Sequence, residues 1–240
     1  TLDSDIAKRL RKCMEKKGIE FYLQAGVKCI HQGKVTFERK GKEQTVEADT
    51  ILIATGRAAN MDSLNLDAMG ISYDKKGILV DDNMETSING IYAIGDTNGR
   101  QMLAHAATFQ GFRAVNHILG KSDNIRFDIM PAAVFTHPEA ASVGKTEDAC
   151  KAEELNYTVR KGYYRANGRA LSMEESEGMA KLIIDEQNKI IGCHIYGAHA
   201  AELVQEISAL MNMDITIDRL KDIIHTHPTL GEILQDMAIG

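Results

Sequence analysis

"AKLIIDEQNKIIGCHIYGAHAAELVQEISALMN", residues 180–212, decides the fold class. Two apolar runs, 180–186 and 189–197, meet at Gln187 and Asn188, so they are expected to pair as antiparallel strands joined by a turn. Leu203, Val204, Ile207, Leu210 and Met211 then recur at helical spacing and give residues 200–212 one buried face. Further short strands are expected at "AAVF" (132–135), "ASVG" (141–144) and "YTVRKGYY" (157–164), with a helix at 146–155 for which Thr146 is a plausible cap. Two short helices close the chain within 216–240. An antiparallel sheet with helices on one side is the α+β arrangement.

Upstream the pattern differs. Ile6, Leu10, Cys13 and Met14 give residues 3–17 an amphipathic helix, capped by Asp3 or Ser4 and closed by Gly18. "EFYLQAGVKCI" and "KVTFERKGKEQTVEA", the latter turning at Gly41, predict a small meander with one wet face. "DTILIATGR" (49–57) and "GIYAIGD" (90–96) are apolar on both faces, as strands of an α/β sheet are. Residues 102–119 read as a helix ending near Gly120, and composition shifts at about 121–131.

The 240 residues are 44% hydrophobic with net charge -6, enough for one large domain or two ordinary ones. No basic block favours a nucleic-acid backbone, and no apolar run approaches the ~20 residues of a membrane helix. The chain opens on a charged helix pattern, without a methionine or a secretory signal, and so reads as a cut within a larger product. Cys13, Cys29, Cys150 and Cys193 form no CxxC or CxxxxC pair and read as reduced thiols. No metal-ligand spacing, GxSxG, P-loop or GxGxxG occurs.

Three stretches are candidates for chemistry. In "IYAIGDTNGRQMLAHAATFQG" (91–111), Gly95 and Asp96 lie at a strand's carboxyl end, where open α/β sheets bind ligands. Asp96 is either an acceptor for ligand hydroxyls or a simple turn acid. The N–H groups around Met102 to His105 open a helix and are free to donate. "ATGR" (54–57) is a strand end with a turn glycine. In "IIHTHPTLGEIL" (223–234), Pro228 suits a first helical position and pushes His227 to extended backbone. Glu232 then either fixes the tautomer of His227, leaving its other nitrogen to move protons, or forms a capping box with Thr229. His225 is the weaker candidate, since no proline follows it.

"ATGR", "IYAIGD", "MLAHAATFQG", "FTHPEAASVG", "GRAL", "GCHIYGAHAAELVQE" and "HTHPTLGE", in this order, resemble the C-terminal half of a flavin-dependent pyridine nucleotide-disulfide oxidoreductase. The likeness covers essentially the whole chain. "MLAH" and "HPTLGE" are most similar to the dihydrolipoamide dehydrogenase branch. The resemblance implies partial FAD- and NAD-binding-type segments, α/β in class, followed by an α+β interface domain. These would be the end of the nicotinamide domain (1–55), a flavin-domain segment (56–122) and the dimerisation domain (123–240). It implies FAD and NAD as cofactors, with Asp96 on the ribityl chain and Met102, Leu103, Ala104 and His105 at the isoalloxazine edge. Gly56 would lie by the nicotinamide dinucleotide and Val27 near its adenine end. His227, oriented by Glu232, would be the acid/base residue, reaching the redox dithiol of the other subunit of a homodimer.

The implied reaction is oxidation of the dihydrolipoyl groups of 2-oxoacid dehydrogenase or glycine cleavage complexes, in the cytoplasm. An imidazolium beside a thiol favours the nucleophilic thiolate. The alternatives are a non-catalytic dimerisation module, or a relative acting on another disulfide such as glutathione disulfide, a peroxide or a metal ion. The sequence carries neither the family's GxGxxG nor its CxxxxC. The 240-residue polypeptide by itself is therefore expected to be inactive and to hold no flavin tightly; a stoichiometric flavin band in its absorbance spectrum would contradict this.

Overall fold

The structure is a computed structural model and describes residues 2–240. The chain divides into two compact units, residues up to 13 together with 59–240, and residues 14–58. Helix α1 (Ser4–Lys16) buries Ile6, Leu10 and Cys13, the face its spacing predicts. Asp3 caps it, accepting from the Asp5 N–H at 3.1 Å.

In the smaller unit β1 (Ala25–His31), β2 (Lys34–Arg39) and β3 (Lys42–Glu47) form the expected antiparallel meander, in the order β1-β2-β3. Gly41 makes its tight turn at φ 72°. Its small core is Phe37, with the Tyr22 ring centroid 4.8 Å away.

The apolar runs at 51–54 and 91–94 form no strands. Residues 51–60 have no regular structure, and Leu52 is 87% exposed. The second run contributes one isolated bridge, Glu85 to Tyr92. A strand exists only by pairing its backbone with a neighbour, and among the described residues neither run has a continuous one.

The larger unit continues with α2 (Leu66–Met69), a 3₁₀ turn over Gly95–Asn98 and α3 (Ala104–Ile118). Its main body is a five-stranded antiparallel sheet. The strands are β4 (Ala132–Val134), β5 (Glu139–Gly144), β6 (Tyr157–Tyr163), β7 (Met179–Asp185) and β8 (Ile190–Gly197), in the order β4-β5-β8-β7-β6. Helices α4 (Glu147–Ala152), α5 (Gly168–Ser172), α6 (Ala200–Asn212), α7 (Ile217–Lys221) and α8 (Glu232–Ile239) complete it. Thr146 caps α4, its hydroxyl accepting from the Ala149 N–H at 3.0 Å.

Strands alternate their side chains, and here both faces of the central pair are buried. Ala180, Leu182, Ile184, Cys193 and Ile195 share one core with Leu203, Val204 and Ile207 of α6 and Ile233, Leu234 and Met237 of α8. On the other face Met179, Lys181, Ile183 and His194 are also buried. The Tyr164 ring is lodged against two glycines: a Cβ on Gly178 or Gly197 would stand 2.5 Å from a ring carbon. Its hydroxyl donates to the Ala198 carbonyl at 2.8 Å.

The second face holds a buried charge cluster. Lys181 Nζ donates to Asp3 Oδ1 and, at 3.1 Å, to Glu147 Oε2, while Asp3 Oδ2 accepts the Glu147 N–H at 2.9 Å. Burial pushes the Asp3 carboxyl up, but the hydrogen bonds from Lys181 and Glu147 and the Lys181 charge outweigh it and hold it below its ordinary value. His194 Nε2 lies 2.7 Å from the Lys145 carbonyl, and burial holds this imidazole below the usual histidine range. Among the described residues no helix is long and apolar enough to cross a membrane.

Lys181→Met would leave Asp3 a buried, unpaired anion and should cost about 3–5 kcal/mol in urea unfolding at neutral pH. The folded Asp3 carboxyl titrates below its unfolded value, so its contribution is full above that value and is lost as pH falls through the folded one. The gap between the native chain and Lys181→Met should therefore narrow in acid; a gap constant down to about pH 2 would refute the assignment.

Candidate functional site

Between α7 and α8 the chain from 222 to 231 is irregular and carries both histidines of the 223–234 stretch. Glu232, the first residue of α8, divides its carboxylate. Oε1 lies 2.9 Å from His227 Nδ1, and Oε2 accepts the Thr229 N–H at 2.8 Å. The two roles that the sequence offers as alternatives are thus filled together. Pro228 is not the first helical residue, because α8 begins at Glu232. Only the carboxylate half of a capping box forms: the Thr229 hydroxyl turns back and donates to the Thr226 carbonyl at 2.6 Å.

The Thr229 N–H and then the His227 ring hold the Glu232 carboxyl below its ordinary value. An ionised acceptor at Nδ1 places the ring proton there, and leaves the Nε2 lone pair to take and return protons. The His227 side chain is 81% exposed in the single chain. His225 is of the opposite kind, 7% exposed, with Nδ1 3.0 Å from the Ile223 carbonyl and Nε2 2.9 Å from Glu206 Oε1.

The second locus is the 3₁₀ turn and the start of α3. Gly95, at φ 71°, makes the reversal that sets Asp96 at the surface. Among the described residues the Asp96 carboxylate accepts no hydrogen bond. Leu103, the N-cap of α3, makes no side-chain cap, so the first-turn N–H groups of Ala104 and His105 point out of the helix without an intrahelical acceptor. His105 Nε2 is 2.8 Å from the Pro131 carbonyl, which ties its ring down. Met102 and Leu103 are half-buried, and the Leu103 N–H is spent on the Gln101 carbonyl at 2.9 Å. A free carboxylate beside uncapped helix donors suits a ligand with hydroxyls and an electron-rich ring edge, the chemistry of FAD.

What holds these two features together escaped the sequence analysis. Gln110 Oε1 accepts from the Gly95 N–H at 2.7 Å and from Asn98 Nδ2 at 2.9 Å, and Asn98 Nδ2 also reaches the Ala93 carbonyl at 3.1 Å. Both side chains are buried. The available signal was a glutamine at helical spacing between Ala106 and Ala114, on the face that α3 buries.

Gly56 and Val27 belong to the smaller unit. Gly56 has φ 112° with open space where a Cβ would point, and Val27 is exposed on β1. Among the described residues no hydrogen bond joins His227 and Glu232 to Asp96 or to 102–105, and no group of His, Cys, Asp or Glu could hold a metal ion.

Gln110→Leu would strand the buried Gly95 N–H and remove one of the acceptors of Asn98 Nδ2, and should cost about 1–3 kcal/mol in chemical unfolding. A Gln110→Glu variant, which keeps the acceptor, should recover part of that loss; equal stability of all three chains would exclude the network as the clamp.

Known proteins resemble this chain along its whole length. Residues 1–111 match the sequence profile described as pyridine nucleotide-disulphide oxidoreductase, and residues 130–238 match that of the pyridine nucleotide-disulphide oxidoreductase dimerisation domain. Leghemoglobin reductase of Glycine max is 38% identical over all of this chain and 47% of its own length. Mitochondrial dihydrolipoyl dehydrogenase of Pisum sativum is 38% identical over all of this chain and 50% of its own. The crystal structure of LpdA from Mycobacterium tuberculosis superposes with a TM-score of 0.89 at 27% identity, across all of this chain and 53% of that one. The chain spans about half the length of the curated relatives it matches. With two successive profiles and these relatives agreeing along its length, the chain belongs to the pyridine nucleotide-disulphide oxidoreductase family.

Proposed function

We propose that this chain forms the part of an NAD-dependent, flavin-containing dihydrolipoyl dehydrogenase that carries the acid/base histidine and the dimer interface. The observation that carries this reading is the His227–Glu232 pair, with Nδ1 committed to a carboxylate and the rest of the ring exposed. The match to a dimerisation domain over 130–238 supports a homodimer in which the partner surface covers that ring.

In the reaction His227 Nε2 accepts the proton of a dihydrolipoyl thiol. The resulting thiolate forms a bond to one sulfur of a redox disulfide and breaks the S–S bond. The imidazolium, steadied by Glu232, returns its proton to the departing sulfur. The second substrate thiol then gives its proton to His227 and attacks the lipoyl sulfur of the mixed disulfide; the lipoyl S–S bond forms, the mixed S–S bond breaks, and the enzyme sulfur leaves as a thiolate beside the imidazolium, so the enzyme dithiol is reduced. FAD, when bound, supplies the two-electron relay from that dithiol to NAD. Asp96 would hold its ribityl hydroxyls, with Met102, Leu103, Ala104 and His105 along the ring edge. Gly56 and Val27 would line the nicotinamide dinucleotide.

We assign 1–55 to the nicotinamide domain, 56–122 to the flavin domain and 123–240 to the interface domain. The unit boundary at 58/59 supports the first division, and the profile limits at 111 and 130 bracket the second. The four free thiols suit a reducing, cytoplasmic compartment, and the dihydrolipoyl groups would come from 2-oxoacid dehydrogenase or glycine cleavage complexes.

The test is an enzyme that joins this chain to a CxxxxC dithiol and flavin, assayed with dihydrolipoamide and NAD against glutathione disulfide. His227→Gln should lower dihydrolipoamide oxidation by about 10²–10⁴-fold. Native-like turnover in that variant, or preference for glutathione disulfide, would reject the assignment.

A further inference from the structure

His227 sits in an irregular segment, and an irregular segment does not hold an imidazole in place by itself. Two residues upstream a second histidine ties the segment to α6. His225 is buried, and both of its ring nitrogens are committed, Nδ1 to the Ile223 carbonyl at 3.0 Å and Nε2 to Glu206 Oε1 at 2.9 Å. With a carbonyl against one ring nitrogen and a carboxylate against the other, neither nitrogen faces open space, which separates this ring from His227. Glu206 lies on α6, a 13-residue helix whose Leu203, Val204, Ile207 and Met211 are buried in the main core.

The pair also faces the glycine that precedes Glu232. A Cβ on Gly231 would lie 3.4 Å from His225 Cδ2 and 3.8 Å from Glu206 Oε2. The backbone one step before Glu232 therefore runs past the His225–Glu206 pair with room for no more than a small side chain between them. On the far side Asn167 Nδ2 donates to the Thr229 carbonyl at 3.0 Å, so the segment is held from two directions.

We propose that His225 is a positioning residue which, through Glu206, locks the 223–231 segment onto α6 so that Glu232 and His227 stay in hydrogen-bond register. This rests on the assignment of His227 as the acid/base group. His225 moves no proton of the substrate; its effect reaches the reaction only through the ring it holds still.

The test is the tautomer of His227, read by ¹⁵N NMR of its ring nitrogens in the 240-residue protein. Far-UV circular dichroism and melting establish that each variant is folded. The native chain should show His227 with its proton on Nδ1. Glu232→Gln should redistribute that proton; if it does not, the dyad reading fails and the present inference with it. Given that control, His225→Phe should abolish the Nδ1 preference and Glu206→Ala should do the same, which covers the case in which one of them does not fold. His225→Gln, whose amide can still donate to Glu206, should restore the native spectrum. A native His227 tautomer in folded His225→Phe or Glu206→Ala, or no recovery in His225→Gln, would overturn the positioning role and leave the acid/base reading standing.

Discussion

The central strands β7 and β8 have no wet face, and the rest of the larger unit is arranged around that constraint. One side is covered by α6 and α8, which bring the apolar residues that the sheet needs. The other side carries Lys181 in mid-strand, where an ammonium is tolerable only with its counter-charges built in. Asp3 and Glu147 supply them from distant parts of the sequence, one just before α1 and the other at the first turn of α4. Asp3 also caps α1, so one carboxylate starts a helix and pins it to the sheet.

Because the sheet is fixed, α6 and α8 are fixed, and Glu232 at the start of α8 is placed with them. Glu232 opens α8 and divides its two oxygens between backbone and imidazole. Its low-lying carboxyl stays ionised, which is what an imidazole needs behind it to shuttle protons through the far nitrogen. The turn before α3 is built by the same economy, with one buried glutamine oxygen joining a turn glycine to the helix that follows.

Much of this was legible in the sequence because it is local. The 180–212 stretch gives its hairpin and helix from periodicity alone, and Thr146 caps α4 as its type and place suggest. What failed was what depends on distant partners. Residues 51–54 read as a strand because an apolar run is identical in sequence whether or not a neighbour pairs with it. Lys181 gave no sign of burial, since an alternating strand usually sends such a residue to water. At the site, spacing placed His227 near Glu232 but treated the carboxylate as one acceptor. Its two oxygens meet both the Thr229 N–H and the His227 ring, so capping and pairing with the imidazole are not exclusive. Gln110 was hidden for a related reason: its value lies in two donors that only the folded turn brings to it.

The Tyr164 ring has a consequence for how this domain can change. Its neighbours Gly178 and Gly197 come from the entry of β7 and the exit of β8, so one aromatic measures the distance between two strands at their common end. A methyl group added at either glycine has nowhere to go while the phenol remains, and a smaller residue at 164 leaves a void that a methyl only partly fills. The three positions therefore constrain one another as a set. Drift at any one of them is blocked until another has moved, so descent through single substitutions is closed at this corner of the sheet.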